Sequence, residues 1–177
     1  MNKYINLPLN DDIISELQAG DYIYLSGIIY SARDAAHKRM QDGIPFDIKN
    51  QTVYYLGPSP AREGNVIGSA GPTTSSRMDK YTPDLLEHGL KGMIGKGKRS
   101  KEVIDSIKKN KAVYFAAVGG AGAILSKCIT SSEIIAYDDL GTEAIRKMTV
   151  ENFPVIVVID SNGNNLYETA TEQYKEE

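Results

Sequence analysis

The segment Gly68-Ser-Ala-Gly-Pro-Thr-Thr-Ser-Ser-Arg-Met-Asp79 concentrates turn formers, hydroxyls and a guanidinium in one place. It follows a short apolar run, Asn65-Val66-Ile67, which reads as a strand. Two glycines and a proline bend the backbone, and five hydroxyl side chains (Ser69, Thr73, Thr74, Ser75, Ser76) crowd ahead of Arg77. Ser, Thr and Asp favour turns and helix N-caps, so a short helix is expected near Ser75 or Ser76. Unpaired N–H groups at a helix start attract anions, and Arg77 adds a planar fork that suits a carboxylate or phosphate. The plain alternative is a capped surface turn with a solvated arginine. The density of glycine, hydroxyl and guanidinium groups favours an anion site.

On either side the chain alternates strand and helix patterns. Tyr22–Tyr30, rich in aromatic and β-branched residues, is a strand, entered from a short helix that Gly20 closes. Ser31–Gln41 is a helix stopped by Asp42-Gly43, with Arg33 and His37 four apart on one face. His37 is read either as a cap or as a partner of Asp34. Thr52–Leu56 is a strand, and the Pro- and Gly-rich loop Gly57–Gly64 is long enough to order against a partner. Thr82–His88 reads as a helix with Thr82 as N-cap, Leu90–Gly95 as a glycine-broken strand, and Ser100–Lys109 as an amphipathic helix with Val103, Ile104 and Ile107 on one face. Ala112–Val118 is apolar throughout, as in a strand covered on both sides. Gly119–Gly122 leads into a helix to about Lys127. Strands are expected at Ser132–Tyr137 and Pro154–Asp160 with a helix at Thr142–Met148 between them, then a turn at Ser161–Asn164 returning a hairpin to Asn165–Glu168, and a frayed tail. The pattern is a mixed α/β single domain.

Composition bounds the function. A chain of 177 residues with net charge −3 carries no basic field for nucleic acid or acidic membranes. Its apolar runs are too short to span a bilayer, and the N-terminal stretch lacks a signal-peptide core. The single cysteine, Cys128, suits a reducing cytoplasm and cannot supply the several thiolates of an iron–sulfur cluster. Gly92–Arg99 approaches a phosphate-binding loop but has Arg99 where Ser or Thr would hold magnesium, and Gly120–Leu125 lacks the third glycine of a dinucleotide fingerprint. What remains is a group of candidates at strand ends: Arg33, Thr73, Arg77 and Lys96, with Lys98 and Arg99 as further members or as solvated charges. Two guanidiniums and an ammonium converging on one cleft suit a dicarboxylate.

Gly71-Pro-Thr-Thr-x-x-Arg-Met-Asp79 followed by Lys96-Gly-Lys-Arg99 resembles the β subunit of two-subunit class I fumarate hydratases and L-tartrate dehydratases, equivalent to the C-terminal domain of single-chain members. The likeness continues in family order at Ser31–Arg39, Tyr55–Pro60, Gly119–Gly122 and Phe153–Asp160. It implies a swivelling β/β/α domain with a mixed sheet over residues 1–177, in a cytoplasmic hetero-oligomer with an α subunit that holds a four-iron four-sulfur cluster. It implies hydro-lyase activity on a four-carbon dicarboxylate: fumarate to L-malate, a citric acid cycle reaction, or L-tartrate to oxaloacetate. Arg33 and Arg77 would grip carboxylates. Lys96 would bind substrate and stabilise the aci-carboxylate that develops on loss of a C–H proton. Thr73 would be the catalytic hydroxyl, working with a carboxylate of the other subunit. Ser75-Ser76 stands where many members carry a small residue and glycine, and Lys98 where asparagine is common. A non-catalytic carboxylate- or phosphate-binding regulatory module is the alternative of a different class.

Overall fold

The computed structural model of the chain describes residues 2–118 and 122–169. Most of the expected glycine turn at Gly119–Gly122 and the tail beyond residue 169 lie outside them. Among the described residues seven strands form one mixed sheet: β1 (Asn2–Asn6), β2 (Tyr22–Ser31), β3 (Thr52–Tyr54), β4 (Gly92–Gly95), β5 (Val113–Ala117), β6 (Ile129–Ala136) and β7 (Ile145–Ile159). Their order is β1-β2-β3-β4-β5-β7-β6, with β7 also paired to β2. Strands β1 to β5 run parallel, and β7 is antiparallel to β2, β5 and β6. Strand β7 reaches both β5, through Val155–Ile159, and β2, through Arg146–Ile156. The ladder β2-β3-β4-β5-β7 therefore returns to β2 and closes on itself. The helices are α1 (Asp11–Ser15), α2 (Asp34–Met40), α3 (Thr82–Glu87), α4 (Lys101–Asn110) and α5 (Gly122–Ser126), with 3₁₀ segments at Ser75–Met78 and Asp138–Glu143.

Alternation along the strands splits the core into two layers. Ile23, Leu25, Ile29, Tyr54, Ile94, Phe115, Phe153 and Val155 pack together on one side of the sheet. Val53, Met93, Tyr114 and Ile159 pack on the other, against Ala36 and Met40 of α2, Leu85 of α3, and Val103 and Ile107 of α4. Cover on both faces is why β5 reads as an unbroken apolar run. Val103 and Ile107, one helical turn apart and fully buried, each contribute about 1.5–3 kcal/mol of transfer free energy. Ser100 caps α4 by accepting from the Val103 N–H at 3.3 Å, as a serine before an apolar stripe should.

Several expectations are corrected. Val66-Ile67 is not a strand: β3 already has β2 and β4 as neighbours, so Ile67 is buried from an irregular loop while Val66 stays exposed. Thr142–Met148 is not a helix, because Ile145 opens the 15-residue β7 and Met148 pairs with both Ile29 and Ser132. Two strand partners outweigh the good helical propensity of Ala-Ile-Arg-Lys-Met, because tertiary context overrides local preference. Helix α2 begins at Asp34 rather than Ser31, since Ser31 still belongs to β2. Thr82 lies inside α3, Tyr81 is its N-cap, and the Thr82 hydroxyl donates to the Met78 carbonyl at 2.9 Å. The first helix ends at Ser15, ahead of the Gly20 turn. The hairpin is reduced to one bridge, Ile159 to Asn165, before residues 166–169 turn helical. Strand β1 had no sequence expectation.

Candidate functional site

The carboxyl ends of β2, β3 and β4 lie side by side, and each feeds a candidate residue. The carboxyl ends of parallel strands are a common place for ligand groups, in closed as in open sheets. After β2, the Ala32 N–H donates to the Tyr54 carbonyl at 3.0 Å, so the chain peels toward β3 before α2 starts. Arg33 is the N-cap of α2 in extended conformation and makes no capping bond with its side chain. That side chain crosses Gly57 instead: a Cβ there would come within 2.7 Å of Arg33 Cδ and 3.1 Å of Nη1. The glycine after β3 thus makes room for the guanidinium.

The Thr73 N–H donates to the Tyr55 carbonyl at 2.8 Å, fixing the Pro72-Thr73 turn to the end of β3. Thr74 bridges Lys96, and the Ser75 N–H donates to the Lys96 carbonyl at 2.8 Å, fixing the same turn to the end of β4. The buried Ser75 hydroxyl bonds to Tyr114 Oη at 2.6 Å, and any side chain at Gly95 would strike it. Ser75 is therefore a peg that seats the 3₁₀ segment carrying Arg77. Thr73 is half-buried, while Thr74 and Lys96 are exposed.

Arg33 and Arg77 meet on Asp34. Arg77 Nη2 lies 2.7 Å from Asp34 Oδ2. Arg33 Nε lies 3.8 Å from Asp34 Oδ1 and 3.9 Å from Glu143 Oε1, which also accepts from the Ala35 N–H at 3.2 Å. Arg33 Nε and Asp34 Oδ1 are both buried without a hydrogen bond among the described residues. The two carboxylates were missed as site members. Asp34 was legible as the neighbour of Arg33, but Glu143 comes from a 3₁₀ segment more than a hundred residues away and no local signal marks it.

Lys98 is exposed, whereas Arg99 leaves the candidate set because its side chain is fully buried. Its Nε donates to Asp79 Oδ1 at 2.6 Å, and its Nη2 donates to Thr82 Oγ1 at 2.8 Å and Tyr55 Oη at 3.1 Å. The guanidinium also stacks over the Tyr55 and Tyr114 rings, 5.1 and 4.8 Å from their centroids. His37 is buried too. Its Nδ1 bonds the Arg33 carbonyl at 2.7 Å rather than Asp34, and its Nε2 has no hydrogen-bond partner among the described residues. Burial, reinforced by the Arg99 charge, lowers its pKa to about 4, so the ring is neutral and donates from Nδ1.

Among the described residues no three His, Cys, Asp or Glu side chains group as a metal site. The one cysteine, Cys128, is half-buried with its thiol pKa raised by burial. This donor set does not fit an iron–sulfur cluster, which needs several thiolates. No helix of the described residues is long and apolar enough to cross a membrane. An open cavity of about 540 Å³ lies between Ser59–Ser69 and Ser126–Ile129, and none of Arg33, Thr73, Arg77 or Lys96 lines it.

Fold and site together define a mixed α/β domain that gathers two arginines, a threonine and a lysine on one strand edge. Residues 2–170 match the family described as Fumarase C-terminus, and the chain belongs to that family. The aerobic class I fumarate hydratase of Escherichia coli K12 is 36% identical over 174 residues, which cover 93% of this chain and 32% of that protein. Fumarate hydratase 2 of Leishmania major is 40% identical over 162 residues, 87% of this chain and 28% of the relative. A putative L(+)-tartrate dehydratase subunit beta of Methanocaldococcus jannaschii is 34% identical over 175 residues, 92% of this chain and 90% of its own length. The chain thus spans about a third of the fumarate hydratases it matches and nearly all of the tartrate dehydratase subunit.

Proposed function

We propose that this chain is the β subunit of an iron–sulfur hydro-lyase that interconverts fumarate and L-malate or dehydrates L-tartrate to oxaloacetate. The observation that carries this reading is the meeting of Arg33 and Arg77 on Asp34, at the strand edge where Thr73 and Lys96 also end. Family membership and the match to nearly the full length of a subunit named beta support it. In this reading residues 1–177 are one swivelling β/β/α domain of a cytoplasmic hetero-oligomer, and the cluster belongs to the partner α subunit.

Arg33 and Arg77 each direct N–H donors at a substrate carboxylate, a charge-assisted pairing that fixes the carbon chain in one orientation. Lys96 places an ammonium where negative charge builds as a C–H proton is lost. Thr73 Oγ1 relays that proton. A hydroxyl is too weak an acid to do so unaided, so a carboxylate of the partner acts with it. The turn that carries Thr73 is bonded to β3 and β4 and preceded by Pro72, which holds the hydroxyl with little entropy left to lose.

Co-expression with a cysteine-bearing partner, then anaerobic assay on fumarate, L-malate and the tartrates, tests the reading. Thr73→Val in that complex should lower kcat about 10²–10⁴-fold with KM little changed, and Thr74→Val should be near wild type. Equal and modest losses at both positions, seen only in KM, would remove Thr73 from the chemistry. Dicarboxylate binding without turnover by the wild-type complex would leave the regulatory module.

A further inference from the structure

The two arginines sit in a group of four residues whose formal charges cancel. Arg33 and Arg77 supply two positive charges, and Asp34 and Glu143 supply two negative charges within 4 Å of them. Attraction of a dianion to this pair then rests on where the N–H donors point rather than on the local charge sum. Asp34 governs that direction. It is the first residue of α2, and Glu143 pins the start of the helix through the Ala35 N–H, so its backbone is fixed. Its Oδ2 takes one terminal nitrogen of Arg77, whose side chain is 52% exposed, so the rest of the guanidinium is accessible. Its Oδ1 is buried and faces the equally buried Arg33 Nε at 3.8 Å, neither atom hydrogen-bonded among the described residues. One carboxylate therefore touches or approaches both guanidiniums.

We infer that Asp34 is a positioning residue that sets the separation of the two guanidiniums, and through it the length of dicarboxylate the site accepts. The inference rests on the hydro-lyase reading of the same site. A carboxylate on a short Asp side chain fixes Arg77 close to Arg33. One more methylene, as in Glu, lengthens that strut by about 1.5 Å, close to the extra reach of a dicarboxylate longer by one carbon. Loss of the charge, as in Asn, releases Arg77 into a half-exposed position with many rotamers.

The test uses the complex with the partner subunit and three competitive probes: malonate, succinate and glutarate. Wild type is expected to bind succinate best of the three. Asp34→Glu should shift the succinate-to-glutarate ratio of inhibition constants toward glutarate by about tenfold, the low end of what one methylene is worth in a fitted site. Asp34→Asn should raise KM about tenfold with kcat within about threefold, and should flatten the ranking of the probes. A purely structural role for Asp34 would change the melting temperature without touching the ranking. If Asp34→Asn does not fold, Asp34→Glu, which keeps the charge, still reads the length preference. An unchanged ranking and KM in either folded variant overturns the inference while leaving the hydro-lyase reading intact. A wild-type complex with no turnover and no calorimetric binding of succinate overturns both.

Discussion

Arg77 and Arg99 lie on the two stretches, Gly68–Asp79 and Lys96–Arg99, that mark the strand edge, yet they have opposite surroundings. Arg99 has used its donors: Asp79, Thr82 and Tyr55 take them, and two tyrosine rings close over its faces. Among the described residues Arg77 has one ion pair, with Asp34, and half of its side chain is open to water. The same functional group is a structural bolt in one place and keeps half of its side chain exposed in the other. The difference is the number of partners, not the motif. Arg99 ties Asp79, at the end of the 3₁₀ segment, to the Ser100 start of α4, whose N–H also donates to Asp79 at 2.9 Å. The buried region thereby holds still the segment that presents Arg77.

The contrast is broken most forcefully at Arg99. Arg99→Met keeps much of the bulk but leaves Asp79 without its counter-charge in a largely buried position. Removing one partner of a buried pair costs about 3–5 kcal/mol. For a domain of this size that is a fall in Tm of roughly 6–20 °C. Thermal denaturation followed by circular dichroism measures it. A Tm within about 3 °C of wild type, with dicarboxylate binding lost, would move Arg99 into the ligand-facing set.

The next effect is at Arg77. Arg77→Lys keeps the charge but loses the planar fork, so it should not rescue. One lost charge-assisted hydrogen bond is worth about 1.5–3 kcal/mol, or roughly tenfold to a hundredfold in kcat/KM of the complex. Because the side chain is half-exposed, Tm should stay within about 2 °C of wild type, as expected of surface substitutions. Full kcat/KM in Arg77→Lys would make it a solvated charge, and the anion site would lie elsewhere.

Much of this arrangement was legible in the sequence, and the reasons differ by element. Strands β2 and β5 announced themselves by aromatic and β-branched runs, and α4 by its Ser100 cap and the Val103/Ile107 stripe. Arg33 and Lys96 could be placed at strand ends because each follows an apolar run that stops, whereas Thr73 and Arg77 reach that edge through the bonds from their turn to Tyr55 and Lys96 rather than from a strand at Val66-Ile67. What stayed hidden depends on partners distant in sequence. Ile145–Met148 joins β7 only because β2 and β6 lie on either side of it. Glu143 reaches Arg33 only through the fold, and Arg99 reads like Lys98 until Asp79 and Thr82 are brought around it. A short apolar run such as Val66-Ile67 carries no information about whether a sheet edge is free to receive it.

His37 lies on the boundary between the two regions and gives the smallest and most specific effect. Its ring is buried at 1% exposure, with the rings of Tyr55 and Tyr81 5.5 and 6.0 Å away, yet its Nδ1–H holds the carbonyl of Arg33. Two charges act on it, Arg99 disfavouring protonation and Asp34 favouring it, and burial outweighs both. The folded pKa of about 4 lies below the unfolded value of 6.5. Between those values the unfolded chain binds a proton that the folded chain refuses, so stability is whole above pH 6.5 and falls as pH drops toward 4. From pH 7 to pH 5 the loss from this group is about 2 kcal/mol. Urea midpoints at those two pH values measure it. His37→Asn places an amide N–H where Nδ1–H was, so it should keep the bond to Arg33 and remove the pH-dependent loss. If His37→Asn shows the wild-type slope, the proton uptake belongs to another group and His37 is solvated in the folded chain.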